Sequence, residues 1–340
     1  MIPYRIRQFY KRIFLGILTL LLIVALVGVV CFVWLQRFIV YTDKGVVFDF
    51  GLQNIPQGEF VSPPEPLPTV SILYADEEDE DELLASNELA QMIGYYIDTD
   101  DLADIPTVRE QLSQLPAGTP VMVNVKNIYG SYFYSSKVCD QRVSSIDTAA
   151  VDGLFAYMQE LDLYPIARLP ALRDRYYGDK HVPDGLPEAG GGGWLWPDEY
   201  SCYWLNPTRE GTLNYLIDTI SELKSRGFRE VVLYDFRFPD TENITFDGDK
   251  QQAIANAAKT LVTSCATDKF ALSFEGLDVS FPLPEGRSRL YLSGVAASEA
   301  ASIANLLQVG DPTINLVFLT SVHDTRFDQY SVLRPLSAAP

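Results

Sequence analysis

The N-terminal part of the chain contains one long run of residues without charge. From Ile13 to Leu35 it reads IFLGILTLLLIVALVGVVCFVWL. A helix of this length, at about 1.5 Å of rise per residue, spans the roughly 30 Å hydrocarbon core of a bilayer. The run ends in large residues and lacks a small-residue cleavage site. We therefore predict an uncleaved transmembrane signal anchor at residues 13–36.

Basic residues lie mostly on one side of this run, which predicts the orientation of the anchor. Those that precede it are Arg5, Arg7, Lys11 and Arg12. Only Arg37 and Lys44 follow closely, so the positive-inside rule places residues 1–12 in the cytoplasm. We predict a single-pass protein of the cell membrane with an extracellular C-terminal domain and the lipid bilayer as one partner. A cytoplasmic tail this short leaves little room for the folded output domain of a sensor.

The segment after the anchor differs in composition from the rest of the chain. It combines a short apolar piece, GVVFDFGL, with the proline-rich EFVSPPEPLPTV and the acidic run ADEEDEDELL. Prolines, like charges and low hydrophobicity are typical of an extended linker, so we predict a stalk at residues 37–88. The remaining segment, residues 89–335, has about the size of one (β/α)8 barrel.

Within that segment, short β-rich runs alternate with amphipathic helical patterns. The β-rich runs occur at residues 92–98, 120–127, 163–170, 230–236, 269–276, 289–294 and 314–321. The helical patterns occur at residues 107–115, 147–161, 209–228, 249–264 and 298–310. This alternation predicts an α/β fold with a parallel sheet and outer helices. An open doubly wound sheet is the alternative. We favour a (β/α)8 TIM-like barrel because no G-x-G-x-x-G follows the first strand.

Charge and cysteine spacing exclude several classes of function. The formal net charge is -19, and no basic stripe of the kind that binds phosphate backbones is present, so we predict no nucleic-acid partner. Outside the apolar run the cysteines are Cys139, Cys202 and Cys265, without C-x-x-C or His-rich spacing. We expect no metal site and no cofactor. Whether Cys139 and Cys202 form a disulfide stays open, since spacing alone does not establish geometry.

Candidate chemistry lies at the C-terminal ends of the strands, where barrels of this type hold their sites. The residues there are Asp98, Asn124, Lys126, Asn127, Arg168, Asp235, Arg237 and Glu275. Strand periodicity places Asp235 on one face with Val231, Leu233 and Arg237, so we expect the carboxylate and the guanidinium to point together into the mouth. Glu275 follows a phenylalanine, so we expect its carboxyl group to be less hydrated than that of Asp235. Two carboxylates in different environments suit glycosidic bond cleavage, although a purely structural Asp235–Arg237 salt bridge is an equal alternative.

The longest predicted loop, residues 172–203, carries many aromatic residues beside a run of four glycines. Trp194 and Trp196 lie within it and Trp204 follows directly. Aromatic rings stack against the apolar faces of sugars, which predicts a carbohydrate platform. The alternative interpretation is that the rings pack the loop onto the barrel, and the sequence favours neither.

Three segments carry a family resemblance: VMVNVKNIYGSYFYSS, YPIARLPALRD and GFREVVLYDFRFP. They resemble the putative glycoside hydrolase domains of bacterial proteins, DUF4015-like (β/α)8 barrels, over residues 90–335. That family has a second strand ending in an acidic V-K-D-like segment, P-I-A-R in the third, and F-D-Y-x-R-F-P in the fourth. Here Asn124 and Asn127 replace acids, and Tyr234 stands at the aspartate position with Asp235 next to it. A shift of one residue turns a strand side chain to the other face.

Together the residues and the resemblance imply a membrane-anchored glycoside-hydrolase-like protein that acts on polysaccharide or a cell-envelope glycan. In this interpretation Asp235 is the nucleophile or base and Glu275 the general acid. The remaining predicted substrate-binding residues are Asp98, Lys126, Arg168, Arg237, Trp194, Trp196 and Trp204. The alternative is a degenerate barrel that binds a glycan or an envelope partner without turnover. Asn124 and Asn127 favour that alternative, whereas Asp235 and Glu275 favour the enzyme.

Overall fold

The computed structural model describes residues 39–42, 45–48, 89–277, 283, 288–307 and 309–339. The predicted cytoplasmic tail and signal anchor, and most of the predicted stalk, lie outside these residues. Among the described residues, no helix combines the length and the apolar character needed to cross a bilayer. The chain divides into two units, Met1–Asp76 and Glu77–Pro340. In the first, the described part is an antiparallel pair of strands, Ile39–Thr42 and Gly45–Phe48.

The second unit contains a closed barrel of eight parallel strands. They are β1 (Ile93–Ile97), β2 (Pro120–Asn124), β3 (Tyr164–Pro170), β4 (Glu230–Tyr234), β5 (Ala271–Glu275), β6 (Leu290–Ser293), β7 (Leu316–Leu319) and β8 (Ser331–Pro335). Each strand pairs with the next along the chain, and β8 closes the barrel on β1 with Val332 opposite Ile93. The predicted (β/α)8-like barrel is confirmed. The sequence did not predict β8, because Arg334 and Pro335 interrupt its short apolar run.

Helices follow most of the strands along the chain. They are α1 (Ile105–Leu112), α2 (Thr148–Glu160), α3 (Arg175–Lys180), α4 (Glu210–Ser225), α5 (Lys250–Cys265), α6 (Ala300–Leu306) and α7 (Pro312–Asn315). Asp147 accepts hydrogen bonds from two backbone N–H groups at the start of α2, and Asp249 does the same for α5. On α4 the buried Leu216, Ile220 and Leu223 form the apolar stripe that packs onto the sheet.

The two faces of each strand pack into different parts of the core, because successive side chains point in opposite directions. Val231 and Leu233 belong to the cluster that includes the helix residue Leu216, so this face of β4 packs against the helices. Val232 belongs with Ile166 to a cluster of strand residues that fills the barrel interior. Tyr234 comes two residues after Val232, so at the end of β4 its side chain points to the same interior face.

Candidate active site at the barrel mouth

Polar side chains from neighbouring strands meet at the C-terminal mouth of the barrel. On each strand, the residue two positions after an interior side chain points to the same side. These residues are Asn124 on β2, Arg168 on β3, Tyr234 on β4 and Glu275 on β5. The strand register supports this placement, since Asn124 is the partner of Arg168. On β6 the same mouth is reached by Ser293, two residues after Tyr291, which is the partner of Glu275. The mouth is therefore lined by side chains from β2 to β6.

Arg168 and Glu275 form a two-point ion pair in this group. Arg168 Nε donates to Glu275 Oε2 at 2.6 Å, and Nη2 donates to Oε1 at 2.8 Å. The hydroxyl of Ser293 donates to Oε1 as well, at 3.1 Å. The Glu275 side chain is only 5% exposed. Both carboxylate oxygens accept hydrogen bonds from one guanidinium, which fixes the plane of the carboxylate.

The surroundings of Arg168 keep it charged and fixed in place. Burial by itself would lower the pKa of Arg168, but the hydrogen bonds and the negative charge of Glu275 outweigh burial and raise it. Its Nη1 donates to Asn124 Oδ1 at 3.0 Å, and Asn124 Nδ2 donates to Thr99 Oγ1 at 2.9 Å. A cavity of about 530 Å³ opens here, lined by Thr99, Asn124 and Tyr234 among others. Asn124 thus connects the ion pair to the wall of the cavity.

Tyr234 lies between the charged groups of the mouth. The guanidinium of Arg168 lies 4.2 Å from the centre of its ring. Burial raises the pKa of Tyr234, and the charges of Asp235 and Glu275 raise it further against the opposing effect of Arg168 and Arg173. The phenol is therefore neutral at physiological pH and can donate a hydrogen bond. The charges of both Asp235 and Glu275 are therefore felt at the hydroxyl of Tyr234.

Asp235 reaches the site by leaving the strand conformation. Its φ is 50°, in the left-handed region that non-glycine residues seldom adopt and in which aspartate is enriched. The prediction that the face of Val231 and Leu233 points into the mouth is wrong, because those side chains pack against the helices. The turn in the backbone re-aims the carboxylate, and Asp235 Oδ2 lies 3.7 Å from Arg173 Nη1. Backbone strain of this kind is concentrated at functional sites.

Arg173 connects Asp235 to the long loop after β3. Its Nε donates to Asp198 Oδ2 at 2.6 Å, and its Nη2 contacts the same oxygen at 2.5 Å. Asp198 is itself held by the backbone N–H groups of Tyr200 and Cys202, each at 2.9 Å, and by Trp204 Nε1 at 3.1 Å. The loop therefore anchors a buried carboxylate, which in turn holds the guanidinium beside Asp235.

Lys126 lies in a different environment from the one that the sequence predicted. Its ammonium lies 2.6 Å from Asp174 Oδ2, and the side chains of both residues are 0% exposed. Burial alone would lower the pKa of Lys126, but the charge of Asp174 outweighs burial and raises it. Tyr215 donates its hydroxyl hydrogen to Asp174 Oδ2 at 2.9 Å. Lys126 also lines the mouth cavity, although its ammonium group is enclosed and paired with Asp174, so contact with substrate stays a prediction.

The predicted aromatic platform is divided between the surface and the interior. Trp194 is 77% exposed, Trp196 is half-buried and packs against the core, and Trp204 is only 3% exposed. The guanidinium of Arg237 lies 5.2 Å from the Trp204 ring and that of Arg173 lies 5.6 Å from it. Trp204 is therefore a packing residue beneath two cations, and of the three tryptophans Trp194 presents the most open ring.

The other predicted residues lie at the rim. Asp98 is exposed directly after β1, and its pKa is raised by partial burial and by the neighbouring charges of Asp101 and Asp100. Asn127 lines the mouth cavity. The guanidinium of Arg237 also donates to the carbonyl of Phe238 at 3.3 Å.

Sequence reasoning missed Arg173, Asp198, Tyr234 and Ser293 as members of the site. Arg173 and Asp198 lie in a loop whose path no periodicity predicts. In the sequence, Tyr234 was only a departure from the family pattern. The alternation of side chains along β4 could have predicted that its ring faces the barrel interior. Among the described residues no group of three or more histidines, cysteines and acidic residues is placed to hold a metal ion.

The cysteines of the described segment are free thiols: Cys139, Cys202 and Cys265. The disulfide that the sequence left open between Cys139 and Cys202 is therefore not formed. Burial raises the pKa of the Cys202 thiol to about 11, as it does for Cys265. These thiols are protonated at neutral pH and are poor nucleophiles.

Comparison with known proteins finds one family match, in the part of the chain that holds the site. Residues 111–279 match the family described as putative glycosyl hydrolase domain, DUF4015. The matched segment contains β2 to β5, and with them Asn124, Arg168, Asp235 and Glu275. Over this segment the chain is similar to that family. No curated protein matches the chain.

Solved structures similar to the chain have low identity and TM-scores below 0.5. One is a hypothetical protein from Ruminiclostridium thermocellum ATCC 27405, with 19% identity, 53% of this chain and 96% of that chain covered, and a TM-score of 0.46. The glycoside hydrolase domain of PelA from Pseudomonas aeruginosa has 14% identity, 73% and 95% coverage, and a TM-score of 0.42. A GH20 exo-β-N-acetylglucosaminidase from Vibrio harveyi has 9% identity, 68% and 41% coverage, and a TM-score of 0.48. The chain thus spans less than half of the Vibrio enzyme, and likenesses at these scores add nothing to the assignment of the site.

Proposed function

We propose that the chain is a glycoside hydrolase that cleaves a polysaccharide through Asp235 and Glu275. The observation that carries the proposal is the arrangement at the barrel mouth: Arg168 holds Glu275 and lies over the ring of Tyr234, which lines an open cavity and directly precedes Asp235 in the chain. Glycosidic bond cleavage needs two acidic groups at one site, one to attack or to activate water and one to protonate the leaving oxygen. The match of the segment that holds both residues to a putative glycosyl hydrolase domain supports the same reaction class.

The geometry favours roles opposite to those predicted from the sequence. Glu275 accepts two hydrogen bonds from Arg168, so it suits the ionised nucleophile or base better than the acid. Asp235 lies 3.7 Å from Arg173 at the same end of the barrel, so we assign it the remaining role, the acid that gives a proton to the leaving oxygen. The neutral phenol of Tyr234 is placed to donate a hydrogen bond to substrate between them.

A barrel that binds a glycan without turnover is the second candidate. It is favoured by Asn124 and Tyr234 at positions where the family pattern has acids, and by the ion pair that engages both oxygens of Glu275. A two-point arginine–carboxylate pair orients the carboxylate as well as neutralising it, so the ion pair is compatible with both candidates.

Turnover by the full-length chain in detergent separates the two. Release of reducing ends is measured on a panel of cell-wall and plant polysaccharides, for the natural chain and for Asp235→Asn and Glu275→Gln. The hydrolase proposal expects turnover of one glycan and its loss in both variants. Binding to a glycan without turnover, unchanged in both variants, would instead support the binding barrel.

We further propose that residues 13–36 hold the barrel at the outer face of the cell membrane. The uncharged run and the basic flank of residues 1–12 support this placement. Alkaline carbonate extraction should leave the full-length chain in the membrane fraction, and protease added to intact spheroplasts should degrade the barrel. Release of the chain by carbonate would exclude an integral anchor, and complete protection from protease would exclude the outward orientation.

A further inference from the structure

A second cavity, of about 350 Å³, lies beside the mouth cavity but is formed by different residues. It is lined by three tyrosines together with polar side chains: Tyr129, Tyr176, Tyr203, Gln141, Arg175 and Asp179. Tyr129 is 43% exposed and belongs to no core cluster, so its ring is open to a ligand. The combination of aromatic faces with donors and acceptors at their edges is the one that binds sugar rings.

The cavity is built by three chain segments that backbone hydrogen bonds hold together. Arg175 N donates to the carbonyl of Ile128 at 3.1 Å, which joins the start of α3 to the loop after β2. Asp174 N donates to the carbonyl of Tyr203 at 2.9 Å, which joins the same helix start to the end of the long loop. The tyrosines of all three segments are therefore held in a fixed relation before any ligand arrives.

Two glycines allow these segments to approach so closely. A Cβ at Gly130 would lie 2.4 Å from Asp174 Oδ1 and 2.6 Å from the Cβ of Tyr176, and Gly130 has a φ of +80°. A Cβ at Gly178 would lie 2.7 Å from the Cβ of Tyr203. Side chains at either position would push the walls of the cavity apart, so the cavity depends on local sequence and is not a gap left between loops.

One turn of chain connects this cavity to the mouth. Asn127 Oδ1 accepts from the backbone N–H groups of Tyr129 at 3.1 Å and Ser131 at 3.0 Å, which fixes the turn. Asn127 lines the mouth cavity, whereas Tyr129 and Ser131 line the second one. A linear ligand bound at the mouth therefore reaches the second cavity by crossing a single turn.

We propose that this cavity, defined by Tyr129, Tyr176 and Tyr203, is a second saccharide subsite that holds a further sugar of the polysaccharide bound at the mouth. This inference rests on the proposed function. Its lining contains one cation, Arg175, and one carboxylate, Asp179, so their charges balance and the subsite suits a neutral pyranose unit. Its role is to favour long chains over short substrates, since only a chain that crosses the Asn127 turn occupies both cavities.

The test compares binding and turnover as a function of chain length in the full-length protein. Tyr129→Ala removes an exposed ring without opening the core, Tyr129→Phe keeps the ring, and Leu306→Ala is the control, since Leu306 is an exposed apolar residue of α6 outside both cavities. Affinity electrophoresis measures binding to each polysaccharide of the panel, and KM is measured for oligosaccharides of two to six units of the cleaved glycan.

Tyr129→Ala should weaken binding of the polysaccharide and of the longest oligosaccharide by about 3- to 10-fold, the range expected for loss of one stacking ring. The shortest substrate, Tyr129→Phe and Leu306→Ala should show no such change. Unchanged binding of long chains by Tyr129→Ala, with turnover intact, would overturn the subsite alone. Binding that depends on Tyr129 without turnover of any glycan would retain the subsite and overturn the hydrolase. Failure to bind any glycan would overturn both.

Discussion

Arg168 on β3 and Glu275 on β5 form a two-point ion pair across the mouth of the barrel. The distances are 2.6 Å from Nε to Oε2 and 2.8 Å from Nη2 to Oε1. The two residues belong to strands that are not neighbours, since β4 lies between them. The pair therefore spans the mouth and fixes the direction of the Glu275 carboxylate relative to Tyr234 and Asp235.

Arg168→Lys should lower kcat by about 10-fold or more while the barrel stays folded. Lysine keeps the positive charge but presents a single ammonium, so it cannot hold both oxygens of Glu275 in one plane. The measurement is kcat on the cleaved glycan, with thermal unfolding as the control for stability. An Arg168→Lys enzyme with the natural kcat would mean that the two-point pairing has no part in catalysis.

Lys126→Met should lower the free energy of unfolding by about 3–5 kcal/mol, because it leaves the buried Asp174 carboxylate without its cation. In the double variant with Asp174→Asn much of this loss should be recovered, since no unpaired buried charge remains. Denaturant unfolding of the four proteins gives the coupling energy. Equal effects of Lys126→Met in both backgrounds would contradict the assignment of a tightly coupled buried pair.

Arg173→Met should destabilise the loop after β3 and change the pH dependence of turnover. Loss of its contact with the 3% exposed Asp198 side chain costs about 2 kcal/mol or more. Removing a cation 3.7 Å from Asp235 favours the protonated carboxyl, so the limb of the pH–rate profile that reports this acid should move to higher pH. If the variant loses stability and keeps the natural profile, Arg173 acts on the fold and not on Asp235.

Asp98→Asn should raise stability at pH 7 by about 0.3–0.5 kcal/mol, since the group is exposed and screened. The folded pKa of Asp98 is raised above its ordinary value of 3.8 by burial and by Asp101 and Asp100. The folded state thus binds the proton more tightly, and stability falls as pH rises through the ordinary and then the raised pKa. The gain in the variant should vanish below about pH 3, and a gain that persists there would assign it to another cause.

The barrel was predictable because the pattern that indicates each strand or helix lies in contiguous residues. Each of seven predicted runs became a strand, and the five amphipathic patterns became helices, since alternation and helical periodicity are written into contiguous residues. The eighth strand, Ser331–Pro335, was missed because it is stabilised by pairing with β1 and β7 and not by its own composition.

The site was predictable only in part, for a related reason. Arg168 and Glu275 followed from their positions at strand ends, but their ion pair depends on the curvature of the barrel. Asp235 was assigned to the correct end of β4 and to the wrong face, because a left-handed residue ends the strand periodicity there. The partner of Asp235 that the structure adds, Arg173, comes from a loop whose course depends on Asp198 and Trp204.

The central claim is that Glu275 carries the reacting anion, and chemical rescue tests it most directly. Turnover of the cleaved glycan is measured for the full-length chain and for Glu275→Ala, with and without sodium azide or formate. We predict a fall of about 10³-fold or more in Glu275→Ala and a partial return when the small anion occupies the space of the carboxylate. Turnover in Glu275→Ala at the natural rate without any added anion would contradict the claim.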